Sequence, residues 1–349
     1  MRLPVILLAV GLAIVPTPAS WVESLYSRQV YLLSQNLLTP LSSLTGFALF
    51  DGLLLIVVVA SFSWWVLTWR RFGPGRRWRA VGQMAFDMAT ALSAAYLVFL
   101  MVWGFNYRRE PLTAKLDFDQ GRVTPQALTE LATTAVTNLN RLYVDAHRKP
   151  WSGLDDLPGR MGPAFAAAQS ELGARRTAVT GLPKPTLLTP YFRRAGIDGM
   201  INPFSLEVLI NSAVLEFERP FVVAHEWAHL AGYADESEAS FVGWLTCLRG
   251  DAASRYSGWL FITPHLIGHL DPDSRPEIWE SMDEGPLADL RAVSERVSAV
   301  VPVVQQNANR VYDRYLRANR VEAGIGSYGL VVDLVLGSRL GQAVSLSQG

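Results

Sequence analysis

Apolar residues gather in three uncharged runs near the start of the chain. Leu3 to Val15 follows a single Arg2 and is short, the length of a signal-peptide core or of a brief first span. Thr17-Pro18-Ala19 offers small residues for cleavage, but proline beside the cut disfavours it, so the run is read as an uncleaved span. Gly52 to Trp69 holds 18 residues without a charge, and Met88 to Tyr107 holds 20. Each is long enough for a helix to cross about 30 Å of hydrocarbon, and buried core helices seldom stay charge-free for so long. The pattern predicts transmembrane helices over about 3–19, 45–69 and 85–107, making residues 1–107 a membrane domain. Trp64, Trp65, Trp69, Trp103 and Tyr107 sit near the ends of these runs, where interfacial aromatics belong.

Beyond residue 107 the pattern becomes that of an ordinary globular domain, 108–349. Thr124 to Ala146 opens on Thr-Pro and repeats with helical period. Gly153 to Leu172 reads as loop then helix. Lys184–Thr189 and Gly199–Asn211 are β-rich, and Phe221–Ala231 and Glu236–Cys247 read as helices. Leu287 to Ala318 is a long amphipathic stretch that Pro302 should kink or break, and Val331 to Leu336 is a last apolar piece. The expected fold is a set of N-terminal transmembrane helices followed by a mostly helical α+β domain with a small β-sheet.

Charge gives the membrane segment a direction. The loop RRFGPGRRWR carries Arg70, Arg71, Arg76, Arg77 and Arg79 and no acid, so it belongs on the cytoplasmic side. Trp21 to Ser43 carries only Glu23 and Arg28, which suits the opposite side, and everything after Tyr107 is then extracytoplasmic. Asp87 falls at the cytoplasmic end of the third run, where it can reach water. Lys+Arg and Asp+Glu balance at 31 each, which argues against a nucleic-acid partner. A charged fraction of 18% and a mean hydropathy of +0.19 reinforce the membrane reading. One cysteine, Cys247, excludes an intrachain disulfide or a multi-cysteine metal site.

The chemistry concentrates in residues 222–232, VVAHEWAHLAG. His225-Glu226-Trp227-Ala228-His229 is an H-E-x-x-H pattern. Residues four apart stack on one helix face, so both imidazoles can reach one zinc ion. Glu226 lies about 100° further round, beside the metal's open position, where its carboxylate can take a proton from water. In a chain with five histidines a chance match is rare. The flanking Val222, Val223, Ala224, Trp227, Ala228, Leu230 and Ala231 bury the helix, and buried imidazoles and carboxylates need a partner such as a metal. Gly232 then ends the helix as a C-terminal cap.

A catalytic zinc needs a third protein ligand. No third histidine follows, since position 235 is Asp, but a second helix starts there with two glutamates. Asp235 with Glu238 fits a capping box, which leaves Glu236 to face the metal with Ser240 one turn on as its supporting partner. Glu236 is preferred and Glu238 remains the alternative, because a one-residue shift of the cap exchanges their roles. His265 and His269 share the four-residue spacing but lack a glutamate and follow Thr-Pro, so they read as a packed or surface pair. His147 reads as solvated. Gly199–Asn211 is a candidate edge strand for an extended peptide, with Pro203 at its exposed start. For the oxyanion, Tyr328, Tyr315 and Arg320 are guesses.

Five blocks together resemble the domain-of-unknown-function-3810 family of bacterial membrane proteins, which carries a gluzincin-like motif. They are Trp103-Gly104-Phe105-Asn106-Tyr107-Arg108, Asn202-Pro203-Phe204 with Glu207, HEWAHLAG, Glu236-Ser237-Glu238-Ala239-Ser240-Phe241, and Ser327-Tyr328-Gly329 with Val331-Val332-Asp333. The glutamate block is also similar to the E-x-x-A-D/N stretch of membrane gluzincins, where the first glutamate is the ligand; that position is Glu236. Ser240 stands where Asp or Asn is usual. The resemblance implies a zincin-like domain and a zinc peptidase, and adds no substrate. The expectation is therefore a multi-pass protein of the bacterial cytoplasmic membrane whose outer domain binds one Zn2+ through His225, His229 and Glu236. Glu226 would act as catalytic base on a protein or peptide substrate. The competing expectations are an envelope scaffold or sensor braced by zinc, and a zinc hydrolase of a non-peptide envelope component.

Overall fold

The computed structural model describes residues 2–72, 74–174, 176–319 and 330–341. The chain is mostly helical, with one three-stranded sheet. Helix α1 (Arg2–Ile14) is followed by a sharp turn and a rod made of α2 (Ala19–Trp21), a π-helical stretch (Val22–Val30) and α3 (Tyr31–Ser42). Then come α4 (Leu49–Arg71) and α5 (Arg77–Val102), which among the described residues are the two helices long and apolar enough to cross a membrane. The third predicted span thus begins earlier than its uncharged run, with Arg77 and Arg79 inside the helix, and stops at Val102. The first apolar run gives only a 13-residue helix, about 20 Å long. Pro16 and Pro18 break it, and the rod Ala19–Ser42 leaves at 110° to it. Arg2 pairs with Asp87, which thereby has a protein partner.

The remaining helices are α6 (Pro125–His147), α7 (Leu157–Glu171), α8 (Thr189–Ala195), α9 (Arg219–Leu230), α10 (Glu236–Leu248), α11 (Ala252–His269), α12 (Arg275–Glu280), α13 (Glu284–Ser298), α14 (Pro302–Ala318) and α15 (Val331–Gly337). Thr124 caps α6 by accepting the Ala127 N–H at 3.1 Å, with Pro125 preset for the first turn. The long amphipathic stretch is divided in two, with Pro302 starting α14. The Thr263-Pro264 pair that reads as a turn lies inside α11. The sheet has strand order β1 (Pro183–Pro185), β3 (Glu207–Ile210), β2 (Gly199–Asn202). Strand β3 runs parallel to β1 and antiparallel to β2, with Gly199 opposite Ile210 and Asn202 opposite Glu207.

The core is centred on α9, α10 and α11, whose Trp227, Trp244 and Trp259 are fully buried. Helix α10 crosses α9 closely because Gly243 carries no side chain; a Cβ there would stand 3.0 Å from the His225 backbone nitrogen. The membrane-proximal segments are built into this core. Tyr31, Gln35 and Thr39 on α3 are buried, and Thr39 Oγ1 donates to the Leu206 carbonyl at 3.1 Å. The buried Glu207 carboxylate of β3 accepts the N–H groups of Leu49 (2.8 Å) and Phe50 (3.0 Å), capping the first turn of α4. Lys184 of β1 completes that knot, donating to Glu207 at 2.7 Å and to the Ser42 carbonyl at 2.6 Å. Asp51 accepts from the Thr186 hydroxyl and the Leu187 N–H. The globular part therefore sits at the α4 start and the α5 end of the hairpin, opposite the arginine loop between them.

Candidate metal centre

Helix α9 presents the H-E-x-x-H face because both of its ends are held. At its start, Glu218 accepts the Leu215 N–H at 3.0 Å and pairs with Arg296 at 2.6 Å, and Pro220 occupies the first turn. Its end is a Schellman turn. Gly232, at φ +84°, lets its N–H reach the His229 carbonyl (2.9 Å) while the Tyr233 N–H reaches the Ala228 carbonyl (3.1 Å). Glycine suits the position because a side chain is strained at that φ, and a Cβ at 232 would also crowd Arg109 Nη1 at 2.9 Å. Three side chains from the segments around the hairpin also donate to carbonyls at this end. Trp103 Nε1 donates to His229 O (3.2 Å), Tyr31 Oη to Leu230 O (2.8 Å), and Arg109 Nη1 to Gly232 O (2.9 Å). A guanidinium is well placed there, at the negative end of the helix dipole.

Asp235 caps α10 by accepting the N–H groups of Ser237 (2.9 Å) and Glu238 (3.2 Å). The reciprocal half of the box is absent: Glu238 accepts the Leu112 N–H at 2.5 Å instead. The ambiguity between the two glutamates is thereby separated in space. Glu236 points at the histidines, and Glu238 holds the segment that leaves the membrane helices.

His225 Nε2, His229 Nε2 and Glu236 Oε2 form a small triangle with edges of 3.1, 3.2 and 3.4 Å. An ion bonded tetrahedrally at 2.0–2.2 Å separates its ligand atoms by about 3.3–3.6 Å, so the triangle is of the right size. The tautomers agree. His229 Nδ1 lies 2.7 Å from the Tyr233 carbonyl, which can only accept, so the proton is on Nδ1 and Nε2 offers a lone pair. His225 Nδ1 faces Ser240 Oγ at 3.3 Å, so Ser240 supports the site through a histidine. With protein groups alone, burial depresses His225. Burial also opposes a charge on His229, yet the Glu236 carboxylate outweighs it and lifts His229 to about 9. Glu236 is held well below the carboxylate range, the two histidines overcoming its burial. The three ligand-type atoms face one point, His229 and Glu236 buried and His225 partly so, and together they could hold a cation.

Glu226 lies beside this triangle in a different condition. It is buried, its Oε2 has no hydrogen-bond partner among the described residues, and burial raises its pKa to about 8. Strand β2 runs against it, and a Cβ at Gly199 would come within 2.6 Å of Glu226 Oε1. Tyr312 on α14, absent from the residues singled out in the sequence, donates to the outer oxygen of Glu236. Its only sequence signal is the stripe Val304, Ala308, Tyr312, Tyr315 along one face of α14, all of which line the same cavity. Tyr315 stacks on Tyr312 with ring centroids 5.9 Å apart and packs edge-on against Tyr107. Tyr328 and Arg320 lie outside the described residues. His265 lines the cavity, whereas His269 lines a separate pocket beside Val123 and Leu128, and its Nδ1 bonds the His265 carbonyl at 2.7 Å. His147 is not solvated: it is half-buried among Tyr143, Trp151 and Tyr256, with Asp289 at 3.2 Å. The whole site opens into a cavity of about 1610 Å³.

A family model described as Protein of unknown function (DUF3810) matches residues 26–336. No curated protein and no solved structure matches the chain.

Proposed function

The chain belongs to that family of unknown function, and from the site itself we propose that it is a membrane-anchored zinc metallopeptidase. His225, His229 and Glu236 would hold one Zn2+ ion. The observation that carries the reading is Glu226: a buried carboxylate with an oxygen unpartnered among the described residues, next to three converging donors and not among them. A bracing zinc has four protein ligands, whereas three donors leave the fourth position to water or substrate. A bound zinc supplies Lewis acidity to the scissile carbonyl and to water at this position.

The residues of the chain do the rest. Glu226, made more basic by burial, is placed to accept a proton from water beside the ion and to return it to the leaving amine. His229 is kept in the ligating tautomer by the Tyr233 carbonyl. Tyr312 holds Glu236 by its outer oxygen, leaving the inner one on the histidines. Strand β2 is the last strand of the sheet on the cavity side, and Gly199 brings its backbone against Glu226. An extended peptide pairing with β2 would lay a carbonyl beside the base, which favours a peptide over a non-peptide substrate. The arginine loop at the far end of the hairpin supports an outer-face location at the cytoplasmic membrane of a bacterium.

The test compares wild type with Glu226→Gln, each as the full chain in lipid nanodiscs loaded with zinc and offered a quenched peptide library and casein. Wild-type cleavage with an inert variant of equal zinc content is expected. Turnover retained by Glu226→Gln, or no cleavage by zinc-loaded wild type, would refute the reading.

A further inference from the structure

The cavity in front of the metal centre is walled on one side by the membrane hairpin itself. Phe50 and Leu54 of α4 and Ala95, Tyr96 and Phe99 of α5 line the same space as His225 and Glu226. Leu54 is five residues past the start of α4, and Ala95 is seven before the end of α5. At about 1.5 Å per residue the cavity runs about 8–11 Å down the spans, close to a third of the hydrocarbon thickness. Both helices are otherwise dressed for lipid. None of the most apolar stretch of α4 is buried, and only 11% of that of α5. At about 1610 Å³ the cavity exceeds the roughly 300–1,000 Å³ of an ordinary small-molecule site. Its polar groups gather at the metal end, with Glu226, Glu236, Asp198 and Arg296, while the hairpin end is apolar.

We propose that the occupant of this cavity is an apolar stretch of a polypeptide that is itself inserted in the bilayer. It slides in from the outer leaflet along α4 and α5 until its backbone lies beside β2. An acyl chain would fill the apolar end equally well but has nothing to give a strand edge. A polypeptide leaving lipid in extended form must satisfy its backbone groups, and an edge strand supplies those partners. That such a segment is then cut rests on the peptidase reading above; its docking does not.

The experiment uses the full Glu226→Gln chain, zinc-loaded, in nanodiscs. The probe is a leucine–alanine peptide of about 20 residues with a diazirine in its outer third, long enough to span the bilayer. Cross-links are expected at Tyr96, Phe99, Met200 or Phe204. Filling the entrance with Leu54→Trp and Ala95→Trp should lower them about tenfold, as loss of one well-packed apolar contact would. Independently of those variants, unlabelled peptide should compete and water-soluble casein should not. Cross-links confined to the lipid side of α4, around Val57–Val59, would overturn the proposal. So would cavity labelling by a diazirine phospholipid while the peptide labels nothing there. If the cross-links fall in the cavity but zinc-loaded wild type cleaves no peptide, docking stands and the peptidase reading falls. If wild type cleaves casein and the membrane peptide is never captured, the reverse holds.

Discussion

Replacing Glu236 and Glu238 one at a time by alanine gives the sharpest test of the site, because the two lie two positions apart on one helix and have entirely different surroundings. Glu236 Oε2 stands 3.2 and 3.4 Å from the two imidazole nitrogens. Structural zinc sites with four ligands bind with about 10–16 kcal/mol, so one ligand of four is worth about 2.5–4 kcal/mol, or a factor of about 10² to 10³ in affinity. Glu236→Ala should weaken zinc binding by that factor. Glu238 instead accepts the Leu112 N–H and sits in the first turn of α10. Its loss should cost about 1–2 kcal/mol of stability and leave zinc affinity within about threefold. Competition against a chelator of known affinity, on the full chain in detergent micelles, reads the first quantity, and thermal unfolding of the same samples reads the second. Equal loss of zinc from both variants, or no loss from Glu236→Ala, would refute the assignment.

Tyr312→Phe removes the hydroxyl that steadies Glu236 and should reduce zinc affinity about 10- to 100-fold with the melting temperature of the metal-stripped chain unchanged; chelator titration checks it. Lys184→Met leaves the Glu207 carboxylate buried without its cation and should cost about 3–5 kcal/mol, read as a lower denaturation midpoint in micelles. Arg109→Met strips a guanidinium from the end of α9 and one of the cations facing the buried Glu23. A loss of about 3–5 kcal/mol is expected, together with weaker zinc binding, since His229 is in the last turn of α9. A variant as stable as wild type would contradict that account.

The sequence made the metal helix legible because its signal is local: i and i+4 histidines, a glutamate between them and a glycine at the stop all act within three turns. The choice between Glu236 and Glu238 was not local. It depended on where the chain at Leu112 runs, and that is settled by packing 126 residues away in sequence. For Trp21 to Ser43 the charge pattern gave a side of the membrane and no element. The segment is helical, and its buried Glu23, Gln35 and Thr39 meet partners at Arg109, Val179 and Leu206, while Ser27 meets Asn106 just past α5. Pro264 misled, since α11 tolerates a proline in its interior. His147 looked solvated among charged neighbours, yet the rings around it come from α6, α11 and the segment before α7. Tyr312 had no motif at all, and only the fold of α14 over the cavity brings it to Glu236.

The capping of α4 by Glu207 and the grip of Trp103, Tyr31 and Arg109 on α9 mean that the hairpin is no detachable tether. A chain trimmed to begin after Tyr107 would bare a central-strand carboxylate and leave two carbonyls of the histidine helix without their Tyr31 and Trp103 donors. Such a fragment should come out misfolded and unable to bind the proposed zinc. Swapping in a foreign anchor would fail for the same reason, because what the first hundred residues contribute is masonry as much as mooring.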